Sequence, residues 1–278
     1  MSASNRANIL TKTAKILKKQ YKPSVPPSDR SVLEHLLYAC CLEDAKHDVT
    51  DDVFAKLQES YYDWNEVRVT TIAELSEVMA PLPAPTKAAS RLKRALQGVF
   101  EKYYSFDIDI LRKGNLGKAV KEFESINGIT PFGISYVTQN ALSGHSIPVN
   151  AGVFKLFLIL DVITEAEAAK RRIPGLERTI PKSKAVEFGS LLHQLSVDFV
   201  ASPFSPKNRA VILDIDPSAK ERLPKRAPKK PAKKAAPKKS AKAKPASKPR
   251  APKKTKKATV KKAAKKSTTK RLAKKKPR

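Results

Sequence analysis

A handful of residues in this 278-residue chain have types and spacings that suggest chemistry. His145, in Ser143-Gly144-His145-Ser146, is placed to act as an acid or base or to touch a ligand; its simpler reading is a solvent-exposed loop histidine. Glu34 and His35 are adjacent on a helical stretch, where a solvated face is the default. Cys40 and Cys41 are adjacent, and neighbours on a helix diverge too far to pair, so they do not staple the chain. Tyr61, Tyr62 and Trp64 form an aromatic group able to stack on a base or to close the end of a helix. Asp214 and Asp216 are a close carboxylate pair without a nearby His or Cys, so no metal site is read from them and no cofactor is expected.

The stretch Ile126-Asn127-Gly128-Ile129-Thr130-Pro131-Phe132-Gly133 is the most informative. Gly128 suits a tight turn, and Pro131 suits the first turn of a helix, where its missing N–H is not needed. Backbone N–H groups in such a turn, beside a helix N-terminus, can hold a phosphate oxygen. The following helix is expected over Pro131 to about Leu142, with Ile134, Val137 and Ala141 inward. A loop over 143–148 and a helix over Val149–Leu160 come next.

Elements to position these residues are written in the apolar pattern. Leu33, Leu36, Leu37, Cys40 and Cys41 recur with helical spacing, as do Leu92, Ala95, Leu96, Val99 and Tyr103, and again Phe188, Leu191, Leu192, Leu195 and Phe199. Ser28 and Thr86 stand where the first two of these helices are expected to start, and Thr71 with Glu74 has capping-box spacing. Period-2 alternation is missing. The expectation is an all-α body with nine or ten helices between residues 6 and 202, and a short strand or closing arm at Arg209–Asp216.

Charge divides the chain. From Glu221 to Arg278 there are 27 Lys and Arg against one acidic residue, whereas residues 1–220 hold 29 basic and 25 acidic residues of a chain whose net charge is +30. The C-terminal segment is Lys, Ala and Pro without an aromatic, too polar to offset its ordering entropy, and is expected to be disordered when free. It resembles the tails of linker histones and bacterial histone-like proteins. Lys229, Lys230, Lys233, Lys234, Lys238, Lys239, Lys253, Lys254, Lys256 and Lys257 are its candidate phosphate contacts. Such a polycation binds by releasing condensed counterions and does not read sequence. Double-stranded DNA is the expected partner. RNA stays open, and a membrane is not expected because the tail lacks apolar anchors. No export signal is read, so a bacterial cytoplasm with its nucleoid and a eukaryotic nucleus are both compatible.

The hairpin, its helix and the segment Ile147-Pro148-Val149-Asn150-Ala151-Gly152-Val153-Phe154 together resemble the helix-hairpin-helix DNA glycosylases, endonuclease III above all. That family's hairpin reads Leu-Pro-Gly-Val-Gly-x-Lys and is followed, at the same distance as here, by Val-Asp-Thr-His. The resemblance implies a helix-hairpin-helix glycosylase-like bundle. The domain division is an N-terminal helix or arm over 1–27, the helical domain over 28–216 and the basic tail over 217–278. Asn127 to Gly133 are implied to meet DNA. Against the family pattern, the lysine nucleophile falls on Phe132, the catalytic aspartate on Asn150 and the second hairpin glycine on Thr130, while Phe204–Asp214 has none of the cysteines of an iron–sulfur loop. Cys41 falls where relatives place a base-displacing glutamine, although a small core residue is its ordinary reading. The expected function is DNA binding in base-excision repair without glycosylase or lyase activity. Two alternatives stay open: an active glycosylase working through His145 or Glu34, and a chromatin or nucleoid architectural protein.

Overall fold

The computed structural model describes residues 3–225. The tail lysines singled out above lie outside the described residues. Thirteen α-helices and two 3-10 turns form the described part, and it contains no strand. In chain order these are α1 (Ala3–Gln20), α2 (Val32–Leu42), α3 (His47–Ser60), α4 (Trp64–Val69), α5 (Ile72–Val78), α6 (Pro85–Tyr103), η1 (Asp109–Arg112), α7 (Leu116–Ser125), α8 (Pro131–Asn140), α9 (Ala151–Ile159), α10 (Glu165–Ala169), α11 (Leu176–Thr179), α12 (Lys182–Ala201), α13 (Pro206–Ile215) and η2 (Pro217–Glu221).

The all-α expectation holds, and the helix count rises because α4, α5, α10 and α11 are four to seven residues long, too short to show an apolar period. The starts differ as well. α2 begins at Ser31, not Ser28: the Ser31 hydroxyl accepts from the Glu34 N–H and the Glu34 carboxylate accepts from the Ser31 N–H. α6 is entered through Ala84 and Pro85, so Thr86 lies inside it. The Thr71–Glu74 box is present as read. Arg209–Asp216 is neither strand nor arm: Val211, Ile212 and Ile215 are buried at helical spacing on α13.

Two apolar cores run through this unit. The first gathers α2 to α8, with α2 at its centre: Leu33, Leu36, Leu37, Cys40 and Cys41 are all buried, and α2 packs against α3, α6 and α8. Burial pushes the Cys40 thiol up to about 12, so it is an inert core group. The second core is built from α1, α9, α12 and α13, and Ala219 and Leu223 beyond α13 are buried in it. Phe188, Leu191, Leu192, Leu195 and Phe199 form the α12 stripe of that core.

The hairpin turn between α7 and α8 rides on α6 at two points. Gly128 is at φ +97°, and a Cβ there would stand 2.7 Å from the Arg94 Cβ. A Cβ on Gly98 would stand 2.6 Å from the Asn127 carbonyl oxygen. Replacing Gly98 by alanine therefore pushes the turn off α6, and the destabilisation expected is about 1–3 kcal/mol, read as a lower urea midpoint with an unchanged denaturant slope.

A candidate nucleic-acid interface and the buried site beneath it

The turn presents the groups that its sequence promises. Asn127 is exposed and Gly128 and Ile129 half-buried, and among the described residues no protein acceptor takes their backbone N–H groups. Thr130 caps α8, its hydroxyl accepting from the Gly133 N–H and donating to the Glu43 carboxylate at 3.0 Å. Pro131 occupies the first helical position. Three N–H groups beside a capped helix N-terminus make an anion seat without a side chain.

Phe132 is 2% exposed and faces inward. Its ring lies 6.2 Å from Tyr136 and 5.5 Å from His193. The inward face of α8 is thus Phe132, Gly133, Tyr136 and Val137, with Ile134 and Ala141 only half-buried. The space that Phe132 shares with Leu42, His47, Gln139 and His193 amounts to about 20 Å³, room for about one water.

Asn150 is held through both of its amide atoms, with four polar partners around it. Its Oδ1 accepts from the Val153 N–H at 2.9 Å, capping α9, and lies 3.0 Å from the Ser196 hydroxyl, whose one proton it shares with the His193 carbonyl at 2.7 Å. Its Nδ2 donates to the Glu43 carbonyl at 2.9 Å and toward His193 Nδ1 at 3.3 Å. The Ala45 carbonyl lies 2.8 Å from His193 Nε2 and can only accept, so that nitrogen carries the proton and Nδ1 is a bare acceptor. Burial holds the His193 imidazole neutral, its pKa lowered to about 4. A carboxylate at position 150 would lose both donations and confront two acceptors.

Glu43 lies between this network and solvent. Burial raises its carboxyl above the usual range, against the opposing pull of the Arg91 guanidinium and the Thr130 hydroxyl. It lines a 630 Å³ cleft beside the start of α8, with Pro131, Ser135, Arg171, Arg172 and Arg178. These three arginines are exposed, and among the described residues no hydrogen bond or ion pair engages their side chains. The cleft and its arginines were not read from sequence, because α10 and α11 are too short to place Arg171–Arg178 beside a hairpin forty residues upstream in the chain.

Other candidates fall elsewhere. His145 is not a solvent-exposed loop residue: it is half-buried, with Nε2 2.9 Å from the Ile180 carbonyl. His35 is 2% exposed and packs near Tyr136, not on a solvated face, while Glu34 is spent on the α2 cap. Cys41 is a core residue. Trp64 and Tyr61 pack on the first core and Tyr62 is 96% exposed. Asp216 pairs with Arg222 at 2.8 Å. The stretch expected to carry an iron–sulfur loop in the family is instead α13, where apolar side chains fill the second core, so the residues present do not fit that cluster.

No family model matches the sequence, and no curated protein matches it. Solved structures do. An endonuclease III trapped as a covalent intermediate with DNA, in an estranged-adenine complex, is 15% identical with a TM-score of 0.54, over 81% of this chain and 100% of that one. A thermostable thymine-DNA glycosylase is 15% identical with a TM-score of 0.49, over 74% and 91%. The H. pylori 3-methyladenine DNA glycosylase bound to 1,N6-ethenoadenine is 13% identical with a TM-score of 0.47, over 72% and 99%. The fold is that of the helix-hairpin-helix DNA glycosylases.

The site generates two tests. Replacing Asn150 by aspartate is expected to lower stability by about 3–5 kcal/mol, the range for stranding a buried charge, measured by urea unfolding. Lowered pKa values of about 4 at His35, His47 and His193 set a second. The unfolded chain binds protons at these sites near pH 6.5 and the folded chain only near pH 4, so stability is complete above that window and falls on acidification through it. The loss approaches about 1.4 kcal/mol per pH unit for each histidine that is fully shielded. Urea midpoints that stay constant from about pH 7 to about pH 5 would contradict it.

Proposed function

We propose that this chain binds duplex DNA as a helix-hairpin-helix protein of the base-excision-repair type and performs neither glycosylase nor lyase chemistry. The observation that carries this reading is the pair at positions 132 and 150. Phe132 offers no amine for a Schiff base and is sealed against His193 and Tyr136. Asn150 offers no carboxylate to accept a proton or to stabilise an oxocarbenium-like sugar, and both of its amide atoms are engaged within the fold.

Binding would use three elements. The N–H groups of Asn127, Gly128 and Ile129 receive one phosphate. Arg171, Arg172 and Arg178, unpaired at the edge of the cleft, line the same approach. The segment over 217–278, rich in lysine, supplies most of the affinity through counterion release, without regard to sequence. The division at residues 27 and 216 shifts with the packing: Leu10 and Leu17 of α1 and Ala219 and Leu223 are buried in the second core, so the working organisation is one helical body that takes in both stretches, followed by the lysine-rich tail. A nucleoid-associated cytoplasmic protein, or a nuclear one in a eukaryote, suits a duplex-coating partner that supports repair.

The chemistry is tested on chain 1–225, because tail lysines react slowly with abasic DNA and Leu223 belongs to the core. Duplexes carrying an abasic site, an oxidised pyrimidine or a mismatch are expected to give no strand cleavage and no borohydride-trapped adduct. Specific excision above a buffer blank would establish instead an active glycosylase. Binding is tested by the salt dependence of duplex affinity with and without residues 226–278. The log–log slope is about 0.9 per phosphate neutralised, so removing the tail should flatten it strongly. An unchanged slope and affinity would show that the body is the binding element.

A further inference from the structure

The 630 Å³ cleft beside the start of α8 is lined by two unlike sets of side chains. Ile147 and Leu176 are buried in its wall, and Phe154 and Ile173 are half-buried there, so its inner lining is apolar. Its exposed lining is cationic: Arg171, Arg172 and Arg178 take no hydrogen bond or ion pair among the described residues. The carboxylates of Glu43 and Glu177 also border it, two negative charges against three positive. Its size falls within the roughly 300–1,000 Å³ of small-molecule sites.

Arg171 stands there against the preference of its own backbone. It follows the last turn of α10, which closes with two bonds. The Arg171 N–H donates to the Ala168 carbonyl and the Arg172 N–H to the Glu167 carbonyl, each at 3.0 Å. This helix ending puts its pivot residue in the left-handed region, where glycine is the usual occupant. Arg171 is that pivot, at φ +50°. Its Cβ strains the conformation, and glycine would relieve the strain. The guanidinium offsets this with no contact inside the fold, so its use lies in what the cleft receives.

A ligand for this cleft needs anions for the arginines and a flat apolar face for the inner lining. The outside of a duplex lacks the second, because its base faces are stacked on one another. An unpaired strand carries both: phosphates along its backbone, and a π-face on every base that stacks on an aromatic ring. The hairpin N–H groups that would receive a duplex phosphate lie beside the same helix start, at Pro131. We propose that the cleft takes an unpaired strand where it leaves a bound duplex, the arginines on its phosphates and Phe154 under a base, so that this chain selects duplex–single-strand junctions. The proposal rests on the DNA-binding reading above and names the kind of DNA that its cleft selects.

The test compares, on the full chain, a duplex bearing a short unpaired arm with a blunt duplex of the same number of phosphates. Counterion release by the lysine-rich segment then largely cancels in the ratio of affinities. The armed duplex is expected to bind about fivefold more tightly or better, the contribution of one stacked base. Arg171→Gly should bring the ratio toward one while the melting temperature stays equal or rises, which separates lost recognition from lost fold. Phe154→Leu keeps apolar bulk in the cleft and removes the aromatic face, and should lower the ratio as well. Equal affinity for the armed and blunt duplexes would overturn this proposal and leave the DNA-binding reading in place. A preference that survives both variants would place the single strand elsewhere and overturn it too. So would a free single strand bound as tightly as the armed duplex, since the duplex would then take no part. Absence of binding to either DNA would remove the DNA-binding reading, and this proposal with it.

Discussion

The C-terminal end of α2 holds the two cores together. A helix ends with carbonyls that have no partner of their own, and here those near its end are met by side chains from three distant elements. Arg91 of α6 donates to the Cys40 carbonyl and to Asp44, Asn150 at the head of α9 donates to the Glu43 carbonyl, and His193 of α12 donates to the Ala45 carbonyl. Thr130 adds a fourth tie through the Glu43 carboxylate. Nearby, Lys46 pairs with Asp198 at 2.6 Å. The first core approaches this end through α6 and α8, the second through α9 and α12. The angle at which the halves meet, and so the placement of the hairpin beside the cleft, follows from capping one short helix.

The same polar knot leaves Asn150 with little to offer a ligand. A catalytic carboxylate tolerates unmatched hydrogen-bonding capacity because substrate and water complete it. Asn150 has little left over, and His193 has its protonated nitrogen committed to Ala45. Phe132 removes the remaining room. A polar network whose members are satisfied within the protein rigidifies a fold.

The sequence made the architecture legible where helices were long. α2, α6 and α12 carry three or more turns of apolar spacing, and the hairpin announced itself through Gly128 and Pro131. Short helices escaped because α10 and α11 complete barely one turn each. Ser28 misled because a serine three residues nearer the helix, Ser31, has Glu34 at the spacing that closes a capping box. α13 misled because RAVILDID is rich in β-branched residues, yet the second core takes up Val211, Ile212 and Ile215 at helical spacing. Phe132 and Asn150 could be read as substitutions, but their burial and the four polar partners of Asn150 come from residues over a hundred positions apart in the chain, from Glu43 to Ser196. His145 and His35 were misjudged for the same reason: their partners, Ile180 and Tyr136, are remote in sequence.

The wiring of Asn150 also bears on how such a protein changes over generations. A carboxylate at this position is tolerable only if the imidazole facing it turns its proton around or takes up a second one, and either move must give up or reshape the bond to Ala45. The Glu43 carbonyl would still oppose the charge. An acidic residue here therefore needs coordinated changes on α2, α9 and α12, and each taken alone begins downhill in stability. The asparagine is thereby entrenched: the contacts around it guard it against any single substitution.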